Sequence, residues 1–211
     1  MSFNLAKKAA LGAGLLLAAS GASAATVTFS NFNDSDNSAA NYSLALNAIS
    51  GNHLDLGLNN FAAIVANGPG LVNPIDTVSF TVTAPTGWVI TNVSYTETGT
   101  GKTVNGFAAA SGSVVADGFG QNLAGVTYLG NANGPWMLGT SVAINNKQSI
   151  SVQVTNSLFA GAFTSADSAK ISKTSAYFDI EVAPVPLPPA LGMLGAGVLA
   201  LATVGGRRRN A

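Results

Sequence analysis

Few residues in this chain are equipped for chemistry, so the patterns they stand in can be weighed one by one. Gly99-Thr100-Gly101-Lys102-Thr103 matches the end of a phosphate-binding loop, in which backbone amides and a lysine hold phosphate oxygens. The full pattern needs glycine at position 96, where Thr96 stands, and a following helix that Val104-Asn105-Gly106 does not begin. The segment therefore reads as a Gly-rich turn. Asn33-Asp34-Ser35-Asp36-Asn37-Ser38 concentrates the oxygen donors that a hard cation such as calcium takes. The EF-hand spacing fails, because Ala39 replaces the sixth-position glycine and Ala45 the closing glutamate. Calcium could still bind through Asp34 and Asp36 with backbone carbonyls, but a solvated Asx-rich loop is the default. No other cofactor is expected.

His53 is the only histidine and there is no cysteine. That excludes multi-His zinc sites, thiolate metal sites, disulfides and a cysteine nucleophile. No nucleophile stands out to complete a triad with His53, which reads as a surface or loop residue. The nine acids could in principle supply a glycosidase pair, yet nothing in their context singles out two of them. Trp88 and Trp136, with Tyr95 and Tyr128, could stack against sugars; the preferred reading is that they pack a core or girdle. No catalytic residue is assigned, and the chain is read as non-enzymatic.

The wider composition sets the frame for these residues. Nine Lys and Arg balance nine Asp and Glu, and only 9% of the 211 residues are charged, against about 25% in ordinary domains. A chain without a basic face is a poor partner for nucleic acid. Where the charges lie says more than their sum. Lys7 and Lys8 precede an apolar run from Ala9 to Ala19, and Ala22-Ser23-Ala24 stands just before Ala25. A basic start, an apolar segment and an A-x-A site describe a secretory signal peptide over residues 1–24, cut after Ala24.

The other end is built from three parts. Val185-Pro186-Leu187-Pro188-Pro189 comes first, and four of the eight prolines (Pro184, Pro186, Pro188 and Pro189) crowd around it. An uncharged run from Ala190 to Val204 follows, and all three arginines, Arg207, Arg208 and Arg209, come last. As a helix, residues 187–206 would rise about 30 Å, just enough to cross a hydrocarbon core of about 30 Å. The arginines would hold this end on the cytoplasmic side, and Lys7 and Lys8 hold the other end there too. Everything between is then exported, with a transient anchor in the inner membrane.

A proline motif, a short Gly/Ala/Leu span and a terminal arginine cluster resemble the C-terminal sorting signal of the exosortase-processed PEP-CTERM class. Val185-Pro186-Leu187-Pro188 is similar to its VPLPA variant in particular, with Pro189 where that variant usually carries Ala. The resemblance covers residues 185–211 only. It implies recognition and cleavage at the motif by an exosortase-type, transpeptidase-like membrane enzyme. It also implies a Gram-negative bacterium that secretes exopolysaccharide, and a cell-surface, matrix or biofilm role. The alternative for this end is an ordinary C-terminal membrane anchor.

Between the ends, residues 25–183 keep all nine acids but only Lys102, Lys147, Lys170 and Lys173, a net charge of −5. Val27 and Phe29, then Val78, Phe80 and Val82, then Ile150, Val152 and Val154, then Ala176, Phe178, Ile180 and Val182 alternate with polar residues. Period two means half-buried strands. Ala84-Pro85-Thr86-Gly87 predicts a type I turn, with Pro at its second and Gly at its fourth position, between strands 77–83 and 88–96. Further strands are expected over 113–116, 126–129 and 135–138. Residues 38–67 read as mixed: Tyr42, Leu44 and Leu46, and Leu54, Leu56 and Leu58, favour strands, whereas 61–65 could form a helical turn.

The expectation is an all-β, single-domain antiparallel β-sandwich or jelly-roll body, spanning 25–183. A signal helix precedes it, and a sorting signal with a transmembrane helix over 184–211 follows. The function expected is that of an exported, structural surface or matrix protein. The rival of a different class is a carbohydrate- or calcium-dependent binding module; a secreted hydrolase ranks last.

Overall fold

The computed structural model describes residues 25–34, 42–43, 49–58, 61–66 and 68–185. The expected signal peptide with Ala22 and Ala24, the residues Pro186, Leu187, Pro188 and Arg207–Arg209, and Asp36 all lie outside the described residues. Among the described residues there is no helix, and none therefore that could cross a membrane. All pairing is antiparallel.

The inward phase of the alternating segments is buried as the period predicts. Val78, Phe80 and Val82 are at most 2% exposed, and Ile150, Val152 and Val154 at most 3%. They lie on β8 (Ile75–Thr83) and β12 (Ser149–Ala162), which pair with each other from Ser149↔Thr83 to Ser157↔Ile75. β1 (Thr28–Asp34) lies on the far edge of β8 and begins the body beside the buried Val27 and Phe29.

One long strand, β9 (Trp88–Ala116), organises everything else. Its first part, through Val104, pairs with β13 (Ser168–Pro184), and from Phe107 onward the same edge pairs with β12. Its other edge carries β11 (Val126–Lys147) and, at the end, β10 (Phe119–Asn122). The change of neighbour falls at Asn105, whose φ of 48° is left-handed, opposite a register shift between Gly130 and Ala132 of β11. An irregularity of this kind bends a strand and reverses which residues point inward. From Val93 to Thr103 the buried residues of β9 are odd-numbered; from Gly106 to Ala116 they are even-numbered. The sheet thus curls on itself, and faces of unpaired strands meet, with Phe80 of β8 against Phe178 of β13.

Several sequence expectations need correction in detail. The runs 88–96 and 113–116 are two stretches of β9, and 126–129 and 135–138 are both parts of β11, because pairing with a long partner carries a strand through its polar and glycine residues. The 84–87 turn is shifted by one: Trp88 N–H donates to Pro85 O (3.0 Å), and Gly87 is the third residue with φ 82°. A positive φ at that place defines type II geometry, which glycine adopts without a Cβ clash. Within 38–67 the described residues include five short strands: β2 (Tyr42–Ser43), β3 (Ile49–Ser50), β4 (His53–Asp55), β5 (Gly57–Leu58) and β6 (Ala62–Val65). The 61–65 segment is not helical, since β6 pairs with β13 from Ala62↔Ser172 to Val65↔Ala169. A short β7 (Gly70–Val72) pairs with the end of β12.

Candidate functional site

Four polar side chains occupy the inward phase of their strands, where neighbours two residues away are apolar. Asp76 precedes Val78 on β8, Glu97 follows Val93 and Tyr95 on β9, Asn156 follows Val154 on β12, and Lys173 follows Ile171 on β13. Each is at most 5% exposed. The curl of the sheet brings them together in the core.

Tyr95 Oη is the hub. Its one hydrogen goes to Glu97 Oε2 (2.8 Å), which leaves its lone pairs to accept from Lys173 Nζ (3.4 Å) and Asn156 Nδ2 (3.3 Å). Lys173 Nζ also donates to Glu97 Oε2, a buried ion pair, and lies over the Phe61 ring, 5.1 Å from its centroid. Asp76 stands opposite Asn156 in the β8–β12 register. Burial pushes the Lys173 amine down to about 8, against the opposing pull of Glu97 and, less strongly, Asp76. Two acids and one base in a water-free site make an expensive arrangement, because desolvation of the charges competes with their attraction. A buried polar cluster around a lysine with a lowered pKa marks a candidate functional site.

A cleft of about 360 Å³ lies against this cluster, lined by Phe61, Ala62, Ile64, Lys170, Ser172 and Lys173. The cluster itself is closed, so its chemistry is with its own members.

The residues singled out from sequence lie elsewhere. Gly99 to Thr103 form no turn: they are mid-strand in β9, paired on both edges, so their amides serve the ladders and cannot cradle a phosphate. Asp34 ends β1; among the described residues no three His, Cys, Asp or Glu side chains group as metal ligands. Ala25 is described, half-buried, just ahead of β1. Trp136 and Tyr95 are packing residues, 5% and 1% exposed. Trp136 covers Gly99 and Tyr128 covers Gly101, so that a Cβ at either glycine would meet a ring at 2.4 Å or less. The aromatic rings fill the space that side chains would take on a glycine-containing strand.

His53 is better placed than its sequence context suggested. It sits on β4 with its ring between two carboxylates, Nδ1 to Asp179 Oδ1 at 2.7 Å and Nε2 to Asp55 Oδ1 at 3.1 Å, and against the Tyr177 ring. The hydrogen bond from Asp179 raises its pKa above the ordinary value, with Asp55 adding to it and burial opposing. Because Asp179 is on β13, an imidazolium here clasps the short strand β4 to the body.

Sequence reasoning missed the core cluster, although a signal was present. Extending the alternation by one step, from Val78 to Asp76, from Val154 to Asn156 and from Ile171 to Lys173, puts charged or polar residues on the apolar face. Compared with known proteins, the chain matches no family model and no curated sequence.

Proposed function

We propose that this chain is an exported bacterial cell-surface or extracellular-matrix protein, structural and non-enzymatic, released from a transient inner-membrane anchor by an exosortase-type enzyme. The observation that carries this reading is the order of parts after the body: proline motif, uncharged span, arginine cluster. The body ends at the motif without a linker. β13 closes at Pro184, and Val185, 45% exposed, gives its N–H to Gly87 O at 2.9 Å. Pro186, Pro188 and Pro189 disfavour helix at the residues before them, and an extended segment suits a protease cleft. An acidic body rich in Asn, Ser and Thr is compatible with a hydrated exopolysaccharide matrix. On this reading the curled sheet, with Phe80 and Phe178 meeting across unpaired strands, is a sandwich-like body between a signal helix and a transmembrane helix.

Mass spectrometry of the protein recovered outside the cell tests this. The mature chain should begin at Ala25 and end within residues 185–189. A mature species that still carries Arg207–Arg209 would leave a plain membrane anchor and overturn the sorting reading.

A further inference from the structure

The core cluster holds the reactants of one specific reaction. Lys173 supplies an amine, Asn156 a carboxamide, and Glu97 a proton carrier bonded to that amine. Nζ and the carboxamide nitrogen bond to the same oxygen, Tyr95 Oη, at 3.4 and 3.3 Å. Asn156 and Tyr95 are 1% exposed and Glu97 is fully buried, so water cannot compete for the acyl carbon. The folded sheet holds the two partners in place, which removes the entropic part of the barrier to their reaction. Burial lowers the pKa of Lys173 to about 8, which favours the neutral, nucleophilic amine. With no cysteine in the chain, disulfides are not an alternative cross-link.

We propose that Lys173 and Asn156 become joined by a side-chain amide bond that the fold itself forms, with Glu97 moving the protons. Glu97 takes a proton from the Lys173 ammonium. The freed amine swings past Tyr95 Oη on its flexible stem and attacks Cγ of Asn156. Glu97 returns the proton to the carboxamide nitrogen, and the bond from Cγ to that nitrogen breaks. Ammonia leaves, and the proton shed by the new amide nitrogen goes with it as ammonium. One C–N bond forms and one breaks; nothing is oxidised or reduced, and no co-reactant is needed. The result is a covalent tie between β12 and β13, strands that share no ladder. It does not depend on the sorting reading.

Peptide mapping by mass spectrometry of the full chain, purified from the cells that make it, tests the proposal. The peptides that contain Asn156 and Lys173 should appear as one linked species, lighter than their sum by one ammonia. Lys173→Arg and Glu97→Gln should give separate peptides of unaltered mass. Asn156→Asp keeps the size and the acyl group and should give the same linked product through loss of water, which carries the test if Lys173→Arg does not fold. Separate wild-type peptides at their sequence masses would overturn the proposal. A wild-type Lys173 peptide joined with loss of one water to the peptide that carries Asp76 or Glu97 would overturn the assignment to Asn156. A linkage that survives Glu97→Gln would overturn the role given to Glu97.

Discussion

The Phe178 ring meets the Phe80 ring edge-on, with centroids 5.0 Å apart and planes at 76°, although their strands share no ladder. Phe178 also packs on Tyr95 at 4.7 Å, and Phe80 on Phe29 and Phe32 at 6.0 and 5.8 Å. This aromatic column joins the two parts of the curled sheet, so its loss should be felt globally. Phe178→Ala should cost about 3–5 kcal/mol through lost burial and the cavity left behind. A double-mutant cycle with Phe80→Ala should give a coupling of about 0.5–1.5 kcal/mol. Urea denaturation measures both; additive losses would show that the two faces do not depend on this contact.

The His53 clasp makes stability depend on pH. Its native pKa is raised above the unfolded value near 6.5, so the folded state binds the proton more tightly. The contribution is fully present below about pH 6.5 and fades as pH rises through the raised native pKa. His53→Gln should be less stable than wild type at about pH 5, with the gap closing by about pH 8. Denaturation midpoints across that range check this, and a gap that does not vary with pH would remove the imidazolium from the account.

Gly99 is required by its neighbours rather than by its backbone angles. A Cβ there would lie 2.1 Å from Ser172 O and 2.3 Å from Trp136 Cζ2, and a paired backbone carbonyl cannot yield. Gly99→Ala should cost about 1–3 kcal/mol by overpacking and shift tryptophan emission as the Trp136 ring is displaced. Gly134→Ala, with nothing within 4 Å of its Cβ, is the control and should leave both measurements unchanged.

The proline motif can be tested without touching the body. Deleting residues 186–189 leaves every residue of β13, and Val185 with its hydrogen bond to Gly87, in the chain. The expected result is a folded protein held in the membrane fraction as an unprocessed precursor. Normal release of the deleted form would show that the motif is not what the processing enzyme reads.

Much of this protein was legible in a single strand at a time. Period two identified strands and their inward residues Val78, Phe80, Val82, Val152 and Phe178, and turn chemistry placed the connection between β8 and β9 to within one residue, because alternation and turn chemistry are local properties of the chain. The proline motif, uncharged span and arginine cluster of the proposed sorting signal are likewise local patterns of the chain. What a strand pairs with is not local. Gly99 to Thr103 read as a turn until two partners, 29 to 74 residues distant along the chain, held the segment extended as the middle of β9. The cluster of Asp76, Glu97, Asn156 and Lys173 shows the same limit. Each residue is in sequence only a polar interruption of an apolar face. It took the bend at Asn105, and the curl that follows from it, to bring four strands' interruptions to one buried point where an amine, an acid and an amide can act on one another.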